Sequence, residues 1–261
     1  MRFRFVPANP TRALPRRFRR PRLLIVGCGD VGLRLLGQLA PRLRDALGIV
    51  AVTRRPGQRA AARALGARTL AADLDERRSL RRLAALAGWL VDLAPPPNTG
   101  HDDPRSAHLI AAASPALRRR RGRAAPARWV YVSTTGVYGD CAGAAFDETR
   151  PIAPASARAI RRAAAERRMR ALAATGAARV SILRAPGILA QDRLPIERLR
   201  RGTPALADAD DVFTNHIHAD DLANAAWLAL FRGRPGRVYH AVDDSDLKMG
   251  AYLDRVADAL D

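Results

Sequence analysis

A doubly wound, parallel α/β sheet is the fold this chain predicts, and three observations predict it. Apolar runs of strand length recur with helical stretches between them. The loops joining them are short, as in β–α–β units. The first run breaks into a glycine-rich turn that opens a helix. With 261 residues the chain can bury a full core, so residues 22–261 are expected to form one domain. Residues 1–21 are rich in proline and arginine without periodicity, and read as a disordered basic arm.

The first unit is LLIVGCGDVGLRLL, Leu23 to Leu36. Leu23-Leu24-Ile25-Val26 is a buried strand, Gly27-Cys28-Gly29-Asp30-Val31-Gly32 a turn, and Leu33, Leu36 and Leu39 mark a helix face. Gly27 can take the backbone angles of the turn, and Gly29 lets the main chain approach a pyrophosphate. Gly32 lets helix and strand pack closely, while the helix N-terminus offers free N–H groups and a partial positive charge. A GxGxxG flanked by its strand and its helix predicts a Rossmann-type dinucleotide site.

The helix is expected to run to about Ala40, where Pro41 stops it. The second strand, Ile49–Val52, ends at Thr53-Arg54-Arg55. An acid there would bind ribose hydroxyls, whereas arginine pairs with a 2′-phosphate, so NADP is favoured over NAD. Gln58–Leu65 reads as a helix, and Arg68–Ala72 as a strand ending at Asp73-Leu74. Trp89–Leu93 is a fourth strand, held extended beyond Ala94 by Pro95-Pro96-Pro97. A helix over Arg105–Leu117 leads to the basic run 118–123, a solvated loop, and then to the strand Trp129–Ser133. Ligands of such sheets lie at the carboxyl ends of the strands. By this count Gly27–Gly32, Arg54, Asp73, Ala94 and Thr134 all fall there.

The second informative stretch is VSTTGVYGD, Val132 to Asp140. Hydroxyls just past a strand end, framed by glycines, suit hydrogen bonding to a substrate carbonyl or alcohol. A helix carries Pro154 to Glu166, and the chain ends on a strand, Arg237–Ala241, and a helix, Leu247–Leu260.

Together the glycine turn and this Ser/Thr…Val-Tyr-Gly segment resemble the extended short-chain dehydrogenase/reductase superfamily, the NAD-dependent epimerases and dehydratases of nucleotide sugars. The resemblance covers about residues 22–255. It implies that Asp73-Leu74 contact the adenine, and that Leu93, Ala94 and Pro95 border the cofactor at the fourth strand end. It also implies that Ala185 and Pro186, in Leu183–Ile188, lie beside the nicotinamide, and that Thr134 stands at the catalytic Ser/Thr position. Asn215–Leu222 resembles the family's strand, His-Val-Asp-Asp, helix segment. The family's Tyr-x-x-x-Lys is where the chain departs. Counting back from Glu166 puts Arg162 at the lysine and Arg158 at the tyrosine, which resembles the atypical branch of the superfamily. Arg162 can still hold ribose hydroxyls, but a guanidinium does not deprotonate and cannot stand in for a phenol.

The resemblance thus implies an NAD(P)-dependent oxidoreductase or epimerase acting on a small or nucleotide-linked substrate. Thr134 would be the donor, with Arg158 and Arg162 stabilising an alkoxide. A small substrate lobe would come mainly from 185–221 and the C-terminal helix. A non-catalytic dinucleotide-binding or regulatory protein is one alternative, and a nucleic-acid binder another.

The last alternative comes from a formal charge of +20, with one lysine among 45 basic residues. Eight arginines and no acid fall in residues 1–22. Such a surplus attracts polyanions. Arginine so favoured over lysine reads as codon bias, and aromatics are only 5% of the chain, too few to interleave a stacking platform. No apolar run approaches the ~20 residues of a membrane helix. Arg16-Arg17 and Ile25–Cys28 resemble export signals, but Asp30 and Arg34 interrupt the apolar segment both require. Two cysteines build no disulfide framework, and a reducing cytoplasm is expected. His216 and His218 with Asp220 and Asp221 are read as strand residues and helix-capping carboxylates, with no metal. The expected partner is a small-molecule substrate, and a homodimer is left open.

Overall fold

The computed structural model describes residues 21–43, 46–86, 88–118, 126–204, 207 and 209–260. The arm over 1–20, the basic loop over 119–123 and Asp208 lie outside the described residues.

Strand β1 (Arg22–Val26) enters the glycine turn and leaves as α1 (Asp30–Leu43). There follow β2 (Gly48–Val52), α2 (Pro56–Ala64), β3 (Arg68–Leu70), β4 (Trp89–Asp92), α3 (Pro104–Arg118) and β5 (Ala127–Thr134). After α4 (Ala157–Ala174) come β6 (Ala178–Ala185) and β7 (Gly187–Leu189). The chain continues through α5 (Ile196–Arg200), β8 (His216–His218), α6 (Ala219–Arg232), β9 (Val238–His240) and α7 (Met249–Asp258). The described residues form a seven-stranded sheet in the order β3-β2-β1-β4-β5-β6-β9, every pair parallel. The order reverses between β1 and β4, which opens a crevice at their carboxyl ends.

Each strand feeds two cores because successive side chains point to opposite faces. Leu23 and Ile25 pack with Leu35, Leu36, Leu222 and Ala226 of α1 and α6. Leu24 and Val26 pack with Leu109, Ala113, Met169 and Leu172 of α3 and α4. Burial on both faces is why these strands read as unbroken apolar runs. A separate small cluster joins Tyr252, Leu253 and Val256 of α7 to Leu189, Leu194 and Leu199, beside the short β7–β8 pair.

Several expected bounds shift, and one element was not expected: α2 is Pro56–Ala64 rather than Gln58–Leu65, and α4 is Ala157–Ala174 rather than Pro154–Glu166. α1 continues to Leu43 with Pro41 inside it, because a proline in the last turn forfeits a single bond where helix ends are weakest. β3 stops at Leu70 rather than Ala72. Beyond it, Arg77–Ala85 forms a 3-10 helix whose Leu80 and Leu83 complete the second core, an element without a clear apolar period in the sequence.

Candidate functional site

A cleft of about 520 Å³ lies at the carboxyl ends of the strands. At the β2–β3 side it is bounded by Thr53, Arg54, Arg55, Asp73 and Leu74, and at its centre by Gly27, Gly29, Asp30, Val31 and Gly32. Leu93, Ala94 and Pro95 border it from β4, and Thr134, Arg158, Arg162, Ala185 and Pro186 line the β5–β6 side. One sequence-predicted residue, Cys28, does not line it. Its side chain is fully buried under the turn, and burial pushes the thiol up to about 12.

The three glycines meet three different needs. Gly27 has φ +72, and a Cβ there would stand 2.6 Å from the Ala94 backbone, so the turn folds only around glycine. At Gly32 a Cβ would press on Cys28 Sγ and Ile25 Cγ2 at 3.2 Å, where helix meets strand. At Gly29 the nearest atom outside the turn is Gln58 Nε2 at 3.5 Å, so that position faces open cleft. The first bond of α1 runs from the Leu33 N–H to the Gly29 carbonyl, leaving the amides of Asp30, Val31 and Gly32 without helical acceptors. Free amides, a helix dipole and an open approach at Gly29 fit the diphosphate of a dinucleotide.

At the β2–β3 side, Thr53 is buried and its hydroxyl donates to Gln58 Oε1 at 2.6 Å. Arg54 and Arg55 are exposed, and Arg54 Nη1 pairs with Asp73 Oδ2 at 3.2 Å. Arg105 fixes the proline loop by donating to Pro95 O at 2.9 Å while its fork holds Asp75 at 2.5 and 2.7 Å. That pairing keeps the Asp75 carboxyl below its ordinary range.

At the other side, Thr134 Oγ1 accepts the Gly136 N–H at 3.2 Å, which leaves its own proton to donate. Arg158 sits exposed at the rim. Arg162 is buried and donates to Val132 O at 2.8 Å, Tyr131 Oη at 3.0 Å and Ala94 O at 3.3 Å, tying α4 to β4 and β5. Beneath them, burial pushes the Asp92 carboxyl up to about 7, opposed by the Ala94 N–H and the charge of Arg162.

A buried network that sequence reasoning missed holds this side together. Ser133 donates to Glu166 Oε1 at 2.6 Å, and Arg184 donates from Nε and Nη2 to both Glu166 oxygens at 3.0 and 2.6 Å. Arg184 lies over the Tyr138 ring at 4.6 Å, and the Tyr138 hydroxyl is 2.6 Å from His240 Nε2. Ser133 and Arg184 are neighbours across β5–β6, yet Glu166 is far from both in sequence, and no local signal pairs them. Arg105 and Arg193 also line the cleft without a sequence signal.

The histidine segment is corrected in one respect. The cap of α6 is the His218 ring, whose Nδ1 accepts the Asp220 N–H at 3.3 Å, while the Asp220 carboxylate turns to Arg34. His216 is buried against Tyr252 while His218 is exposed, and the described residues hold no group of three His, Cys, Asp or Glu able to bind a metal ion. No described helix is long and apolar enough to cross a membrane.

The strand order and the glycine turn at its reversal define a Rossmann-type α/β protein. The model of the NAD dependent epimerase/dehydratase family matches residues 24–241, and the chain belongs to that family. Among solved structures, a functionally unknown conserved protein from Silicibacter pomeroyi is 27% identical, with TM-score 0.70 over 92% of this chain and 78% of that one. The dTDP-glucose 4,6-dehydratase of Bacillus anthracis, in complex with NAD, is 16% identical, with TM-score 0.75 over 92% and 81%. The Thermus thermophilus UDP-glucose 4-epimerase complex with NAD is 19% identical, with TM-score 0.71 over 91% and 83%. These last two share the fold. No curated protein matches the sequence.

Proposed function

We propose that the cleft holds a nicotinamide dinucleotide, NADP in preference to NAD, and that the protein is an oxidoreductase or epimerase for a small or nucleotide-linked substrate. One observation carries this reading: a single cleft runs from Thr53–Arg55 past the glycine turn to Thr134 and Arg158. Family membership supports it, as do the NAD complexes of the Bacillus anthracis dehydratase and the Thermus thermophilus epimerase. Gly27–Gly32 would take the diphosphate, Arg54 and Arg55 the 2′-phosphate, and Ala185 and Pro186 the nicotinamide end. The substrate would be covered by a lobe formed mainly by 185–221 and α7. The two free cysteines of the chain, Cys28 and Cys141, suit a reducing cytoplasm.

A bound nicotinamide supplies hydride transfer at a substrate carbon. Thr134 donates its hydroxyl proton toward the substrate oxygen, with its own oxygen steadied by the Gly136 N–H. Arg162 from below and Arg158 from the rim place positive charge where an alkoxide forms. Neither arginine gives up a proton, so of the three only Thr134 can pass one.

In fluorescence titrations with NADPH and NADH, Gly29→Val abolishes binding of both and leaves the melting temperature near wild type. Undiminished affinity removes the turn assignment. Arg54→Asp moves the preference toward NADH by about tenfold, the scale of one charge-assisted bond; an unchanged ratio removes Arg54 from the site. A second reading, a dinucleotide-binding protein without turnover, is favoured by an α4 that carries neither tyrosine nor lysine. Tight NADPH binding with no oxidation across a panel of carbonyl compounds selects it. Turnover that Thr134→Ala removes selects the first.

A further inference from the structure

We infer that Arg193 is a diphosphate ligand, brought to the glycine turn by the small lobe, so that binding a dinucleotide fastens the segment 190–200 more firmly against the sheet. The inference rests on the cofactor reading above and adds to it a residue from outside the Rossmann motif.

The segment is anchored at a distance from the turn. The Arg193 N–H donates to Ala190 O at 2.9 Å, and Leu194 and Leu199 pack on α7. From this anchor the Arg193 side chain reaches back across the cleft, and its Nη2 stands 3.0 Å from Asp30 Oδ2. Both residues line the cleft with Gly27 and Gly29.

The charges explain why a cation is needed there. Asp30 lies in the first turn of α1, where the helix dipole favours a carboxylate. A diphosphate on the same turn would face that carboxylate as a like charge. Arg34 offsets Asp30 from one side, with Nε on Oδ1 at 2.9 Å, but it is shared with Asp220 at 3.1 Å and Asp192 at 3.5 Å. Arg193 is the second cation. Its contact with Asp30 is electrostatic only, because Asp30 Oδ2 is buried without a hydrogen-bond partner among the described residues. The Arg193 side chain is 35% exposed, and among those residues it makes no other ion pair. A guanidinium fork held beside the turn, whose donors make no hydrogen bond among the described residues, matches two phosphate oxygens bidentately. An arriving diphosphate would take that fork, while Asp30 stays with Arg34.

The test is calorimetric titration of the full chain with NADPH, NADH and adenosine 2′-monophosphate, which lacks the diphosphate. Arg193→Gln raises the Kd of the preferred dinucleotide about tenfold or more, one charge-assisted hydrogen bond's worth, and leaves the 2′-monophosphate Kd unchanged. Arg193→Lys recovers part of the loss, since it restores charge without the fork. Asp30→Asn keeps or strengthens dinucleotide affinity by removing the like charge. Hydrogen exchange over 190–200 slows on dinucleotide binding in wild type and not in Arg193→Gln. The inference is overturned if Arg193→Gln binds like wild type, if it weakens the monophosphate equally, or if Asp30→Asn loses as much. The last result would mean that Arg193 acts only by holding Asp30. Wild-type protein that binds neither dinucleotide overturns the cofactor reading itself, which separates the two failures.

Discussion

The two sides of the cleft are built by opposite means. At the glycine turn the architecture depends on side chains that are missing. Gly27 and Gly32 leave room for Ala94 and for the α1–β1 contact, and the surface turned to the cleft is main-chain amide. At the β5–β6 side it depends on side chains that are buried and charged. Glu166 and Arg184 are each 2% exposed, and they join α4 to two strands through Ser133. Since Arg158, Arg162 and Glu166 follow one another at helical i, i+4 spacing, the pin at Glu166 also sets which way the two arginines face. A backbone site tolerates little at single positions, whereas a side-chain site is vulnerable in pairs.

The largest expected effect breaks such a pair. Glu166→Ala leaves Arg184 as an uncompensated buried charge, a loss of about 3–5 kcal/mol, or roughly 10 °C in melting temperature at this chain size. Replacing both partners, Glu166→Met with Arg184→Met, returns most of that stability, because the penalty lies in the orphaned charge. Thermal melts of the two variants decide it: if the double substitution melts as low as the single, the network is valued for shape and not for charge balance.

The next effect tests the backbone side. Gly27→Ala imposes a positive φ on a residue with a Cβ and drives that atom into the Ala94 backbone, for a cost of about 3 kcal/mol. Gly29→Ala meets only the flexible end of Gln58, and stays within about 0.5 kcal/mol of wild type. Denaturation midpoints of the two alanine variants compare a glycine required by the fold with one that the proposal assigns to the diphosphate. Equal losses would erase that distinction.

How much of this was legible in the sequence follows the same division. A requirement for glycine is written at a single position, so the turn, its strand and its helix could be read directly. The end of β2 was legible at Val52, and those of β4 and β5 to within one residue, because two-faced burial makes a strand read as an apolar run. Glu166, Arg184 and Ser133 could not be paired, since 18 and 33 residues separate the partners and each alone is an ordinary polar residue. Arg193 was illegible for a similar reason: it reaches the turn through a loop anchored on α7, with no period to announce it. His218 misled because a ring nitrogen took the capping role expected of the carboxylates beside it.

The smallest effect belongs to Asp92, which sits where the two sides meet. It ends β4, between Val26 of β1 and Tyr131 of β5, with its Oδ1 accepting the Ala94 N–H at 3.1 Å. Burial raises its carboxyl from the ordinary 3.8 to about 7. A group raised on folding favours the native state most below its unfolded value, and that advantage is lost as pH climbs through the folded one. Wild type therefore loses this contribution between about pH 4 and pH 7 and holds steady above. Asp92→Asn keeps the acceptor for Ala94 and cannot ionise, so its stability relative to wild type rises over the same interval and then levels. The net gain at pH 8 is about 1 kcal/mol, roughly 2–4 °C, because the new amide N–H groups also need partners in a buried place. The difference between the two melting curves, taken from pH 4.5 to 8.5, cancels titrations that both proteins share. A flat difference would mean that Arg162 keeps Asp92 ionised throughout, and that the buried arginine of the β5–β6 side already governs the charge beneath the glycine turn.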